Sequence, residues 1–172
     1  WGLGLIMYAG DNRDYYASWR LDGIRWYDTL APFMSGSAAQ LIRCPSAPPP
    51  VGLSDYGWNY SGSSASATAT PDWGMGFDYP ATPRGGPRKA SEVLTPSKML
   101  AIADRRNFDT VNDHNSAFIG PGSAGVTPTA YAPWGVHTGR ANLLLVDGHC
   151  DSMRTEEIAA PTSKYLWTIA ND

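Results

Sequence analysis

Apolar residues fill most of the first nine positions and recur there at helical spacing. They occupy nearly all sides of the predicted helix: Trp1, Leu3, Leu5, Ile6, Met7 and Tyr8. The run Gly-Asp-Asn at 10–12 is a stop signal. The pattern therefore predicts the end of a longer helix that packs on a sheet. A short amphipathic helix is predicted over 24–34, with Asp22 as candidate cap and Pro32 disturbing its end.

Shorter apolar patterns later in the chain indicate strands. Alternating aromatics suit a strand at 56–62, and a compact apolar strand is predicted at 99–103. Residues 143–153 fit a hairpin around Asp147-Gly148, a pair favoured in type I′ turns. A helical turn at 155–160 is expected to stop at Pro161, and the apolar patch at 164–170 is expected to cap the sheet.

These elements predict one α+β domain over residues 1–172, with the helix first and a small antiparallel sheet after it. Long irregular loops connect them. Residues 61–71 form a low-complexity segment, rich in Ser, Ala and Thr, that is expected to be a flexible loop.

Composition changes this picture in one respect. The chain has 18 Gly, 14 Pro, 7 Trp and 9 Tyr with 17% charged residues, which is typical of loop-rich exported domains held by aromatic clusters. The net charge of −3 and the scattered Lys and Arg argue against nucleic-acid binding. No apolar run approaches the roughly 20 residues of a membrane helix. Because the chain begins at Trp1 within a helical pattern, we expect its natural beginning to be removed.

The stretch VHTGRANLLLVDGHC at 136–150 concentrates candidate chemistry. A zinc site needs three or four converging ligands. On a strand, His149 and Asp151 share one face while Cys150 points to the other, and His137 lies ahead of the strand. A Cys-His nucleophile pair is less favoured still, because no feature for an oxyanion is visible. Neither pattern is a strong site signature.

A structural role for these residues is the favoured interpretation. His137 would hydrogen-bond the backbone or Asp147 and so fix the chain where it enters the hairpin. Asp147 would accept N–H groups of the turn, and Gly148 would supply a backbone conformation that other residues disfavour.

His137, nine further residues and Asp147-Gly148 reproduce the His-X9-Asp-Gly signature. The chain resembles the prepilin-type, processing-associated proteins that carry it, close kin of type II secretion pseudopilins. Further landmarks occur in the same order: LGLIMYAGDNRDYY, WYDTLAPFM, CPSAP, YGWNY, TPSKMLAIAD and ANLLLVDGH. The chain departs from the family at Cys150, where an apolar residue such as Val is usual.

The resemblance implies a pilin-like head domain in the periplasm or outside the cell. An upstream prepilin segment would be cleaved after a Gly by a prepilin peptidase and methylated, and an apolar helix would anchor the protein in the inner membrane. The expected partners are other pseudopilins, contacted through that helix. No catalytic activity and no cofactor are expected, and the chain as it stands should be a monomer.

Calcium is a further expectation, because related major pseudopilins commonly bind it in a C-terminal loop. The segment 104–115 offers hard oxygen donors: Asp104, Asp109, Asn112, Asp113 and Asn115. Their spacing is not that of an EF-hand, and a solvated polar loop is the favoured interpretation.

Two cysteines in a chain expected outside the cytosol should pair. A bond between Cys44 and Cys150 would close a loop of roughly 105 residues and stabilise the fold by about 4 kcal/mol. A cysteine further upstream is the alternative partner of Cys44.

Two other functions stay open. An exported module could bind a glycan or peptide through the aromatic loop around Trp73, Phe77 and Tyr79, although such rings are more often local core. An enzyme is the third choice.

Overall fold

The computed structural model describes residues 1–21, 23–47, 54–59, 74–75, 87–105, 118–119, 133–158 and 160–167. Its helices are α1 (Gly2–Asp11), α2 (Trp26–Leu30), α3 (Ala38–Leu41) and α4 (Thr155–Ile158). Its strands are β1 (Arg20–Leu21), β2 (Ile24–Arg25), β3 (Tyr56–Asn59), β4 (Leu100–Asp104), β5 (Phe118–Ile119), β6 (Arg140–Leu145) and β7 (Cys150–Arg154). Shorter 3₁₀ helices span Ala31–Phe33, Ala90–Glu92 and Pro161–Leu166. The predicted α+β class is confirmed.

The main sheet has the strand order β5-β3-β4-β6-β7. In the run β3-β4-β6-β7 each strand is antiparallel to its neighbour, as expected, and the two-residue β5 adds a parallel edge beside β3. The register shifts between Leu100 and Ile102 where β4 meets β6. Such a bulge changes which face neighbouring side chains point to, and β4 is buried along its whole length.

Helix α1 packs on one face of this sheet. Its Leu5 and Ala9 are buried in a core that includes Trp26, Ile102 and Leu144. The helix ends at Asp11, as the sequence predicts, and the Asn12 amide donates to the Tyr8 carbonyl at 2.8 Å. The sequence pattern therefore located both the helix and its last turn.

The prediction of a single helix over 24–34 is wrong. Ile24 pairs with Leu21 in the β1–β2 ribbon, so this segment begins as a strand. Helix α2 follows without a side-chain cap, and Pro32 lies inside the 3₁₀ helix that continues it. The competing strand pairing and the tighter turn divide the predicted helix into three parts.

The opposite face of the sheet is covered by the C-terminal segment. Leu166 and Trp167 pack there with Leu100 and Leu143, which confirms the predicted apolar cap. Helix α4 ends at Ile158, but Pro161 begins a 3₁₀ helix instead of ending the ordered structure. A fixed φ suits proline to the first turn of a helix.

No helix in the described ranges combines the length and the apolarity needed to cross a membrane. The segment 61–71, expected to be a flexible loop, lies outside the described residues.

Candidate functional site

A tight turn presents His137 at the start of β6. The His137 N–H donates to the Arg140 carbonyl, and the Arg140 N–H donates back to the His137 carbonyl, both at 3.1 Å. The two central residues, Thr138 and Gly139, have φ of +58° and +83°, the sign that a type I′ turn requires. Gly135 packs directly on this turn: a Cβ there would lie 2.5 Å from the Gly139 carbonyl carbon. The turn therefore needs glycine at position 135.

The His137 side chain reaches two residues from distant parts of the chain. Its Nε2 lies 3.3 Å from Asp104 Oδ2 and 3.7 Å from Cys44 Sγ. One donor atom from each of the three residues lies within 4.8 Å of the others. Cys44 and Asp104 are buried, whereas the His137 side chain is 31% exposed. These residues form the Cys44–Asp104–His137 cluster.

Asp104, the last residue of β4, is held by its neighbour strand. The Asn142 N–H donates to Asp104 Oδ2 at 2.6 Å. The other carboxyl oxygen, Oδ1, is buried without a hydrogen-bond partner among the described residues. Burial raises the pKa of Asp104, an effect that the Asn142 N–H and His137 oppose and that the nearby Asp55 reinforces.

Cys44 is fixed by the loop that follows α3. Its backbone N–H donates to Asp55 Oδ2 at 3.0 Å, and the Asp55 N–H donates to the Ile42 carbonyl at 2.9 Å. Burial raises the pKa of Tyr56, and the nearby Cys44 and Asp104 add to this effect. The backbone of Cys44 is thus held by the segment that leads into β3.

This arrangement differs from a nucleophile triad. In a triad, the acid holds one ring nitrogen of the histidine and the nucleophile contacts the other. Here a single nitrogen, His137 Nε2, faces both Asp104 and Cys44. The three donor atoms converge on one point, which is the geometry of a shared ligand or of a three-way hydrogen-bonded contact.

The His137 side chain was expected to bond the backbone or Asp147, and the contact with Asp147 is wrong, because Nε2 faces Asp104 and Cys44. The two residues flank opposite ends of β6, which extends the chain between them. Asp147 instead serves its own turn, as predicted: Oδ1 accepts the His149 N–H at 3.0 Å, and Oδ2 lies 2.9 Å from His149 Nδ1.

The β6–β7 turn also differs from the expected type I′ pair. The Leu145 N–H donates to the His149 carbonyl at 2.8 Å, and the Gly148 N–H donates to the Leu145 carbonyl at 3.0 Å. Gly148 has φ of +90°, whereas Asp147 has no positive φ. This is the pattern of a three-residue loop with a glycine bulge. Gly148 does supply the unusual conformation, but Val146 joins the loop and lengthens it.

Helix α1 rests on this turn. A Cβ on Gly2 would lie 3.0 Å from both the Gly148 carbonyl oxygen and Leu144 Cδ1, and one on Gly148 would lie 3.5 Å from Ile6 Cγ1. The Asp147-Gly148 half of the signature therefore supports the first helix, while His137 belongs to the cluster at the other end of β6.

The predicted disulfide is wrong in this structure, where both cysteines are free. Cys44 is buried in the cluster, whereas Cys150 is exposed at the start of β7 opposite Leu144. The Cys44 sulfur lies 3.7 Å from His137 Nε2 within the cluster. His149, Cys150 and Asp151 form no group of converging ligand atoms within the described residues.

Of the remaining candidate residues, one lies among the described residues and the others lie outside them. Asp104, placed in the calcium set, points into the protein and joins the cluster. The other calcium candidates and the aromatic loop lie outside the described residues: Asp109, Asn112, Asp113, Asn115, Trp73, Phe77 and Tyr79.

The sequence did not reveal that Cys44 and Asp104 meet His137. A polar residue at the exit of a buried strand was the available signal for Asp104, and Cys44 carried none beyond its residue type. The three lie in separate segments that only the sheet brings together.

Comparison with known proteins gives no match to a family model, a curated protein or a solved structure.

Proposed function

We propose that this chain is the head domain of a pilin-like structural subunit, related to the pseudopilins of type II secretion or to type IV pilins. In this proposal it lies in the cell envelope, anchored in the inner membrane through a segment that precedes α1. Its partners are other pilin-like subunits, and its role is assembly instead of catalysis. The support comes from the His-X9-Asp-Gly resemblance and from the surface of α1.

The observation that carries the proposal is the outward face of α1. Leu3, Ile6 and Met7 are 70%, 43% and 46% exposed. Residues spaced by three or four positions lie on the same side of a helix. Leu5 and Ala9 attach the other side of the helix to the core. An exposed group of large apolar side chains marks a surface that binds another molecule.

Helix packing between subunits would cover this face. Burying each of these partly exposed side chains would contribute about 1 kcal/mol, since full burial of such a residue contributes about 1.5–3 kcal/mol. Three residues alone are too few for a stable interface of the usual size. The isolated 172-residue chain should therefore be a monomer, and light scattering at micromolar concentration should give the mass of one subunit.

Processing of the full-length protein tests the class. Co-expression with a prepilin peptidase should shorten it at a Gly just before an apolar helix, and an inactive peptidase should leave it intact. Failure of cleavage by the active peptidase would remove the pseudopilin assignment.

Substitutions on α1 test the assembly surface. Leu3→Gln with Ile6→Gln should reduce co-assembly with other pilins, measured by cross-linking in cells, without reducing the amount of folded protein. Leu94→Gln is the control, because Leu94 is 72% exposed and is not part of α1. Equal loss from both changes, or no loss from either, would contradict the role of this face.

A further inference from the structure

We propose that the Cys44–Asp104–His137 cluster is a zinc-binding site. The ligands are Cys44 Sγ, His137 Nε2 and the carboxylate of Asp104. Thiolate, imidazole and carboxylate are the three donor types that Zn²⁺ takes from proteins. Calcium is a poor fit, because it requires six or more oxygen donors.

The distances suit a tetrahedral ion. Zinc bonds of about 2.0–2.3 Å at tetrahedral angles separate neighbouring ligand atoms by about 3.3–3.8 Å. The Nε2–Oδ2 distance is 3.3 Å and the Nε2–Sγ distance is 3.7 Å. The third separation, between Cys44 Sγ and the Asp104 carboxylate, is no more than 4.8 Å.

An independent observation is the state of Asp104. Its side chain is 1% exposed, and Oδ1 is buried with no hydrogen-bond partner in the described part of the chain. Leaving a buried polar atom unsatisfied costs about 1–3 kcal/mol. A cation that this carboxylate holds through both of its oxygens, beside the sulfur and the imidazole, supplies Oδ1 with the missing partner.

The surroundings are built to hold the ligands in place. The Asn142 N–H fixes Asp104, and Asp55 Oδ2 accepts the Cys44 backbone N–H. Gly135 allows the turn that aims His137. Hydrogen bonds of this kind orient metal ligands. A bound ion would join the loop after α3, the end of β4 and the start of β6, and water would complete its coordination.

The test uses Co²⁺, which replaces zinc and reports its ligands by absorption. The 172-residue chain is prepared with Cys150→Ser, stripped of metal with a chelator and titrated with Co²⁺. Cys44 is then the one remaining cysteine. One equivalent should bind, with the visible bands of tetrahedral Co²⁺ and a near-ultraviolet charge-transfer band that can arise only from the Cys44 thiolate. Zn²⁺ should displace the Co²⁺, and excess Ca²⁺ should not.

Ligand variants in the same background complete the design. Loss of a residue that only orients a metal ligand commonly lowers metal affinity by about 10- to 100-fold. Because Cys44→Ser, Asp104→Asn and His137→Gln each change a ligand itself, each should lower the affinity by at least about 100-fold. His149→Gln is the matched control, since His149 is exposed and outside the cluster. Zn²⁺ should also raise the melting temperature of the protein with an intact cluster.

Two results would overturn the proposal. One is the absence of the charge-transfer band in the Cys150→Ser protein. This measurement does not depend on whether the ligand variants fold. The other is binding that survives the cluster substitutions but is lost with His149→Gln.

Discussion

Replacing Gly148 with alanine should destabilise the protein through backbone strain. Gly148 has φ of +90° at the bulge of the β6–β7 turn, where an L side chain costs about 1–2 kcal/mol. Steric crowding adds little, because the new Cβ would lie 3.5 Å from Ile6 Cγ1, an ordinary van der Waals distance. The free energy of unfolding should therefore fall by about 1–2 kcal/mol, and the melting temperature by about 2–8 °C for a chain of this size.

Reversible urea unfolding followed by tryptophan fluorescence measures this change. Gly148→Asn should lose less, because asparagine tolerates left-handed backbone better than alanine does. Gly10→Ala is the matched control: Gly10 lies in α1 with no atom within 4 Å of the added Cβ, so it should gain about 0.5–1 kcal/mol. A Gly148→Ala protein as stable as the parent would refute the assigned turn geometry.

Three other experiments test the rest of the fold. With chelator present, His137→Ala should lower the free energy of unfolding by about 1–3 kcal/mol, because buried Asp104 loses a partner; unchanged urea unfolding would contradict this. Thiol titration of unfolded, non-reduced protein should find two thiols, and in native protein Cys150 should react faster than buried Cys44; finding no thiol would restore the disulfide. Stability should fall as pH rises above about 10, since the folded state retains tyrosine protons that the unfolded chain releases. Burial raises the pKa of Tyr8, Tyr16 and Tyr56, so the absorption of tyrosinate should show that these residues ionise at higher pH than ordinary tyrosines. Ordinary titration of all nine tyrosines would contradict the burial of these three.

Features set by neighbouring residues were predictable from the sequence. The end of α1 at Asp11 follows from the Gly-Asp-Asn stop, and the apolar run at 99–103 corresponds to β4, displaced by one residue. Asp147 and Gly148 do form a turn between two strands. Hydrophobic spacing and turn chemistry act over a few residues, so the chain itself displays them.

Errors arose where one local structure competed with another. Pairing of Ile24 with Leu21 replaced the first turn of a predicted helix with a strand. Val146 joined the turn, which changed its type without moving Gly148 from its role. Both alternatives were compatible with the local sequence.

The cluster was decided by tertiary structure alone. Asp104 and His137 come together because β4 pairs with β6, and Cys44 joins them because Asp55, just before β3, holds its backbone. No spacing rule links residues in three distant segments, since each pair depends on strand register and on the path of a loop. The sequence supplied a histidine, a carboxylate and a thiol, but only the folded sheet determined that they face one another and that Cys150 does not.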